Sequence, residues 1–95
     1  MQINYTVDAL VSLLQLINFI ESKNTQGAGL RWLDRYEAVL QKQLYHPNQT
    51  KLCHNQTFRR LNLHCINYND WVIAFSIQET SILIEAMIHK SRITD

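Results

Sequence analysis

The residues able to do chemistry crowd into the C-terminal half. From position 51 onward the cations are Lys51, Arg59, Arg60, Lys90 and Arg92, and the imidazoles are His54, His64 and His89. The acids of the same stretch are Asp70, Glu79, Glu85 and Asp95, three of them at expected turns or at the terminus. Guanidinium groups beside imidazoles suit a phosphodiester. The first neutralises phosphate through paired hydrogen bonds, and the second moves a proton near neutral pH. His89 is the candidate general acid or base. Glu85, expected on the same strand face, either tunes that imidazole towards its protonated form or simply pairs with it. The plainer alternative for each of these side chains is a solvated surface position, and alternation alone does not separate the two.

Metal chemistry is the competing option. Cys53 and His54, with His64 and Cys65, make two adjacent pairs of zinc-ligand types. Neighbouring residues on a strand point to opposite faces, so His64 and Cys65 do not converge on one ion. The expectation is no metal and no cofactor. Two cysteines are too few for a disulfide scaffold and form no Cys-x-x-Cys pair, so they read as free thiols in a cytoplasmic protein rather than as a bridge.

Composition bounds the rest. With 95 residues, 46% of them hydrophobic, the chain reads as one packed domain spanning 1–95, and its net charge of +1 gives no overall pull towards nucleic acid or membrane. The apolar run 9–20 is broken by Ser12, Gln15 and Asn18 and is too interrupted to span a bilayer. No secretory leader is expected, because the first cation, Lys23, follows that run. The Asn-x-Thr triplets at Asn4, Asn48 and Asn55 then carry no glycosylation meaning.

The elements that must position the candidate residues follow from periodicity. Trp71–Ile77 and Ser81–His89 alternate at period two around a polar break at Gln78–Thr80, the pattern of an antiparallel hairpin. Strict alternation puts Ile82, Ile84, Ala86 and Ile88 on one face, and Ser81, Glu85 and His89 on the other. Upstream, residues 2–5 read as a short strand, and Thr6 as the cap of a helix over 7–22 carrying Leu10, Leu13, Leu14, Ile17 and Ile20. A helix so apolar around its circumference needs cover on two sides. Gly27 and Gly29 break the pattern. A second helix then runs from about Gln26 or Ala28 to Leu44 with Leu30, Leu33, Tyr36, Leu40 and Leu44 as its buried stripe, stopped by Pro47. A long loop follows over 46–58. Residues 59–65 alternate as a strand with Arg60, Asn62 and His64 outward, and 66–70 turn into the hairpin. Trp32, Trp71 and Phe75 are assigned to the core.

The predicted class is α+β, in the order β-α-α-β-β-β, with a helical hairpin on one face of a small, mainly antiparallel sheet. The opposite face is left open, gathering Arg60, Asn62, His64, Glu85 and His89, with Lys90 and Arg92 at its end.

That order and certain residues resemble the RelE/ParE toxins of type II toxin–antitoxin, or plasmid stabilisation, systems, over almost the whole chain. The resemblance rests on Thr6-Val7-Asp8-Ala9-Leu10 at the first helix start, the second helix ending at Leu44 before Pro47, and an arginine at 59 or 60. It rests further on Trp71-x-Ile73-x-Phe75 and the closing Ile88-His89-Lys90-Ser91-Arg92. It implies a toxin held inactive by a cognate antitoxin laid across its sheet and helices, acting either on DNA gyrase or on mRNA in the translating ribosome. As a metal-independent ribonuclease the chain would use His89, Arg60 and Arg92 catalytically. Lys51, Arg59, His64, Glu85 and Lys90 would contact RNA or target. The closing His-x-x-Arg without a following tyrosine is more similar to the gyrase-poisoning ParE branch, as is the near-neutral charge. A degenerate member that only binds its antitoxin is the third possibility, and a homodimer or a toxin–antitoxin hetero-oligomer is left open.

Overall fold

A four-residue strand, β1 (Gln2–Tyr5), leads through Thr6 into helix α1 (Val7–Lys23) in the computed structural model, which describes residues 2–93. Asp95 lies outside them. Thr6 Oγ1 accepts the Ala9 N–H at 3.1 Å, and Asp8 sits in the positive first turn, as a threonine-capped helix requires.

Helix α2 (Ala28–Gln43) has no side-chain cap of its own, because its cap position is Gly27 in the left-handed region at φ 86°. The carboxylate of Glu21 on α1 supplies what is missing. Its two oxygens accept the N–H groups of Gly27 and Gly29, each at 2.8 Å. The helices approach closely at the same junction. A Cβ at Gly29 would lie 2.8 Å from the Ile17 carbonyl oxygen, so only glycine fits.

The segment after α2 is more ordered than its polar sequence suggests. Pro47–Gln49 form a turn of 3-10 helix, and α3 (Gln56–Arg60) is capped by Asn55, whose side-chain oxygen accepts the Phe58 N–H at 3.1 Å. Its end is a Schellman turn. Asn62 stands at φ 59°, its N–H donates to the Arg59 carbonyl, and the Leu63 N–H reaches back to the Phe58 carbonyl. The expected strand over 59–65 is corrected accordingly. A local cap and a left-handed asparagine override the apparent alternation, and the strand β2 is His64–Tyr68.

Strands β3 (Trp71–Ile77) and β4 (Ser81–His89) form the expected hairpin. The sheet order is β1-β4-β3-β2, with β1 parallel to β4 and the other pairs antiparallel. The molecule is a small α+β fold. Helices α1 and α2 pack together and against one face of the sheet, over a core that includes Leu13, Tyr36, Leu40, Ile73, Phe75, Ile82 and Ile84. Trp32 stacks on Tyr36 at 5.1 Å, and Tyr68 meets both rings edge-on at 5.7 Å, fastening α2 to β2. The Tyr5 and Tyr36 hydroxyls pair at 2.9 Å, and burial pushes both phenols above their ordinary range.

Two corrections concern α1 and α2. Leu13 is buried as expected, but Leu10 and Leu14 of α1 point away from the core, which takes Ala9 and Leu16 in their place. Leu30 is likewise exposed, and Trp32 takes its place. The rotation is set by contact with Gly29 and the sheet, which periodicity alone cannot phase.

The second face of the sheet is not left open. Residues 53–63 cross it, where Cys53, Leu63 and Ala74 are buried with Phe58, Cys65 and Ala86 packed around them. Nor are the cysteines free thiols. Leu52 bridges His64 in antiparallel fashion, which sets Cys53 beside Cys65 at a Cα separation of 4.8 Å, and their sulfurs are bonded. Closing a loop with a sequence separation of 12 contributes about 3 kcal/mol in the chain-entropy account.

The Glu21 clasp gives a pH-dependent stability. Backbone donation from Gly29, then Gly27, holds its carboxyl below the ordinary 4.5. A group whose folded pKa is depressed contributes fully above its unfolded value and loses that contribution as pH falls through the folded one. The Tm difference between the wild type and Glu21→Gln is therefore expected to be largest above pH 4.5 and to shrink in more acid buffer. An unchanged difference from neutral pH into acid contradicts the clasp.

Candidate functional site

The end of β4 decides where the candidate chemistry sits. Phe75 pairs with Ile84 and Ala74 with Ala86, so Glu85 is an inserted residue with no partner across the strand. This bulge falls where β1 runs out, since Tyr5 pairs with Ile84 and the next N–H, of Thr6, donates to the Ile84 carbonyl at 2.9 Å. One extra residue reverses the phase of all that follows. Ile82, Ile84 and Met87 face the helices, Ala86 and Ile88 face the other way, and His89 lies on the helix face opposite Trp71. The expected placement of His89 on an open face with Glu85 is thereby corrected. Strict alternation over 81–89 assumed a regular strand.

His89 also has a structural task. Its Nδ1 accepts the Ser91 N–H at 3.2 Å and lies 2.9 Å from the Ser91 hydroxyl, capping a 3-10 turn over Lys90–Arg92. Its ring stands edge-on to Trp71 at 5.3 Å. Accepting a backbone N–H requires a lone pair on Nδ1, which leaves the ring proton on Nε2.

Beside this ring lies a cleft of about 620 Å³ between α1 and the sheet. Helix α1 contributes Ser12, Gln15 and Phe19, the strands contribute Trp71, Met87 and His89, and Ser91 and Arg92 close its end. The lining mixes the aromatic Phe19 and Trp71 and the aliphatic Leu16, Met87 and Ile88 with an imidazole, a guanidinium and hydrogen-bonding side chains. A lining of this kind has the chemistry to stack a flat group and to pair with an anionic or polar one. Ser12, Gln15 and Phe19 were not among the sequence candidates. The narrow polar stripe of α1, out of register with its apolar one, was the available signal.

The other candidates are dispersed. His64 pairs with Phe75 on the helix face, not outward, and its ring stacks on that phenyl at 5.7 Å. Its Nδ1 lies 3.0 Å from both the carbonyl oxygen and the hydroxyl of Thr50. A carbonyl only accepts, so here Nδ1 carries the proton. Arg59 and Arg60 ride exposed on α3, which packs through Phe58 on the second face. Lys51 lines a different cleft with His54 and Cys65, and Lys90 is exposed in the final turn. Glu85 is the bulge residue. Of the proposed catalytic set, the fold unites His89 with Arg92 and leaves Arg60 across the sheet.

Helix α1 adds an outward feature. Val7, Leu10, Val11 and Leu14 recur at i, i+3, i+4 and i+7, and all four are exposed, Val7 at 78%. No family model matches the chain, and no characterised protein matches it in sequence.

The two imidazoles are expected to hold opposite tautomers. Long-range proton–nitrogen spectra recorded above pH 8 should show His89 protonated at Nε2 and His64 at Nδ1. Identical tautomers at both sites contradict these hydrogen-bond assignments.

Proposed function

We propose that this chain is the toxin of a type II toxin–antitoxin module, similar to the RelE/ParE toxins, and that it inhibits growth by binding DNA gyrase rather than by cutting RNA. The observation that carries the choice of mechanism is the separation of His89 and Arg92, beside the α1 cleft, from Arg59 and Arg60 on α3 at the second face. Acid–base cleavage of a phosphodiester needs its imidazole and its guanidinium groups converged on one phosphate. A binding toxin has no such requirement, and a cleft of mixed aromatic, aliphatic and polar lining suits it.

Two further features support a protein partner. The α1 stripe of Val7, Leu10, Val11 and Leu14 is exposed apolar surface. A cognate antitoxin segment laid along α1 would bury it. The near-neutral charge fits poorly with tight binding to ribosomal RNA, whose affinity comes largely from counterion release. On this reading the protein works in the cytoplasm. Among the described residues no helix is long and apolar enough to cross a membrane.

The ribosome-dependent ribonuclease is the second reading, favoured only by the pairing of His89 with Arg92. Inducible expression of the full chain separates the possibilities. The expected result is growth arrest with intact mRNA, and purified chain that traps cleaved supercoiled plasmid in the presence of gyrase. Cleavage of translated mRNA that disappears in His89→Ala overturns the gyrase mechanism in favour of the ribonuclease. Neither activity, with retained binding to the product of a neighbouring reading frame, leaves a binding-only protein.

A further inference from the structure

We propose that the cleft between α1 and the sheet binds a small planar carboxylate, an aromatic acid of one or two fused rings, whose oxygens are held by Arg92 and His89. This goes beyond the toxin reading and does not rest on it.

The polar end of the cleft is arranged to donate. His89 accepts the Ser91 N–H at Nδ1, at 3.2 Å, so its own proton sits on Nε2, at the ring edge away from that turn. Among the described residues nothing accepts from Nε2, and the Arg92 guanidinium has neither a hydrogen bond nor an ion pair. Both side chains line the cleft, and no described acid does. An imidazole N–H beside a guanidinium, with no carboxylate of the chain's own facing them, selects an anion. The turn that carries them is also held in place. The Lys90 N–H donates to the Asp70 carbonyl at 2.8 Å, which ties the final 3-10 turn to the connection between β2 and β3.

Charge and shape then choose the anion. Arg92 is the one permanent charge among the described lining residues, and His89 is neutral in the tautomer its hydrogen bond requires. A monoanion balances that charge, whereas a phosphomonoester brings a second one with no second cation to meet it. A guanidinium is a flat fork that matches a carboxylate through two parallel bonds. A carboxylate conjugated to a ring lies in the ring plane, so a single flat molecule offers both oxygens at one end and ring faces along its length. A tetrahedral phosphate cannot keep its oxygens in that plane. Phe19 from α1 and Trp71 from β3 supply aromatic surface for the body of the ligand, and Met87 a thioether. At about 620 Å³ the cleft is of the size that small-molecule sites have.

Titration of the full chain with 2-naphthoate, followed by nuclear magnetic resonance, tests this ligand class. Saturable shifts are expected at the Trp71 indole N–H, the Met87 methyl and the His89 ring. Naphthamide has the same shape without the charge and should bind at least about tenfold more weakly, as for loss of a charge-assisted pair. Arg92→Gln should lose a similar factor towards naphthoate and leave naphthamide unaffected. Lys42→Gln removes the same charge from α2, outside the cleft, and should change naphthoate affinity by less than about twofold. If Arg92→Gln disturbs the final turn, the comparison of acid with amide on the wild type decides alone. Three results overturn the proposal: no saturable shift in the cleft, equal binding of acid and amide, or displacement of naphthoate by dimethyl phosphate at a lower concentration than by benzoate. The last of these assigns the cleft to a phosphodiester.

Discussion

Strand β4 is gripped on both sides, by parallel β1 along its first half and by antiparallel β3 along its whole length. The two neighbours end at different places. Where β1 stops and the chain swings into α1, β4 inserts Glu85, and from there its side chains exchange faces. Everything distinctive about the molecule follows from that one residue. Met87 stays in the core, Ala86 joins the smaller cluster, and His89 comes to lie beside Trp71 under the flank of α1 instead of on the far side of the sheet.

The two faces thus have different tasks. The helix face is rigid: Tyr36 and Phe75 are fully buried, and a ring cluster ties α2 to β2. Its margin, where α1 and the sheet diverge, provides the cleft with His89 and Arg92. The second face is covered by a strap of short helix, Schellman turn and disulfide over a second apolar cluster. The strap carries Lys51, Arg59 and Arg60, and the helix side of the sheet carries the cleft.

Much of this was legible in the residues. Thr6 and Asp8 announced α1, Gly27 and Gly29 its separation from α2, Pro47 the end of α2, and the β-branched runs after Trp71 the hairpin. Such signals are local, and local chemistry fixes them. The misreadings have two sources, a local signal that overrides alternation and quantities that depend on distant partners. Residues 59–65 alternate in type, yet Asn55 as a cap and Asn62 in the left-handed region bend them into a helix and a turn. The disulfide depends on a strand-like pairing of Leu52 with His64 that no sequence spacing displays. The phase of His89 depends on a bulge set by the length of β1. The apolar circumference of α1 implies cover on two sides, yet Leu10 and Leu14 face outward, because the close approach at Gly29 turns another side of the helix to α2.

The most direct measurement is a cross-strand nuclear Overhauser map of the β3–β4 pair. The bulge predicts Ala74 opposite Ala86, Glu85 without a partner, and cross-peaks from the His89 ring to the Trp71 indole. Glu85 found opposite Ala74, with the His89 ring contacting Val72 on the second face, would contradict it and return the imidazole to the side of Arg59 and Arg60.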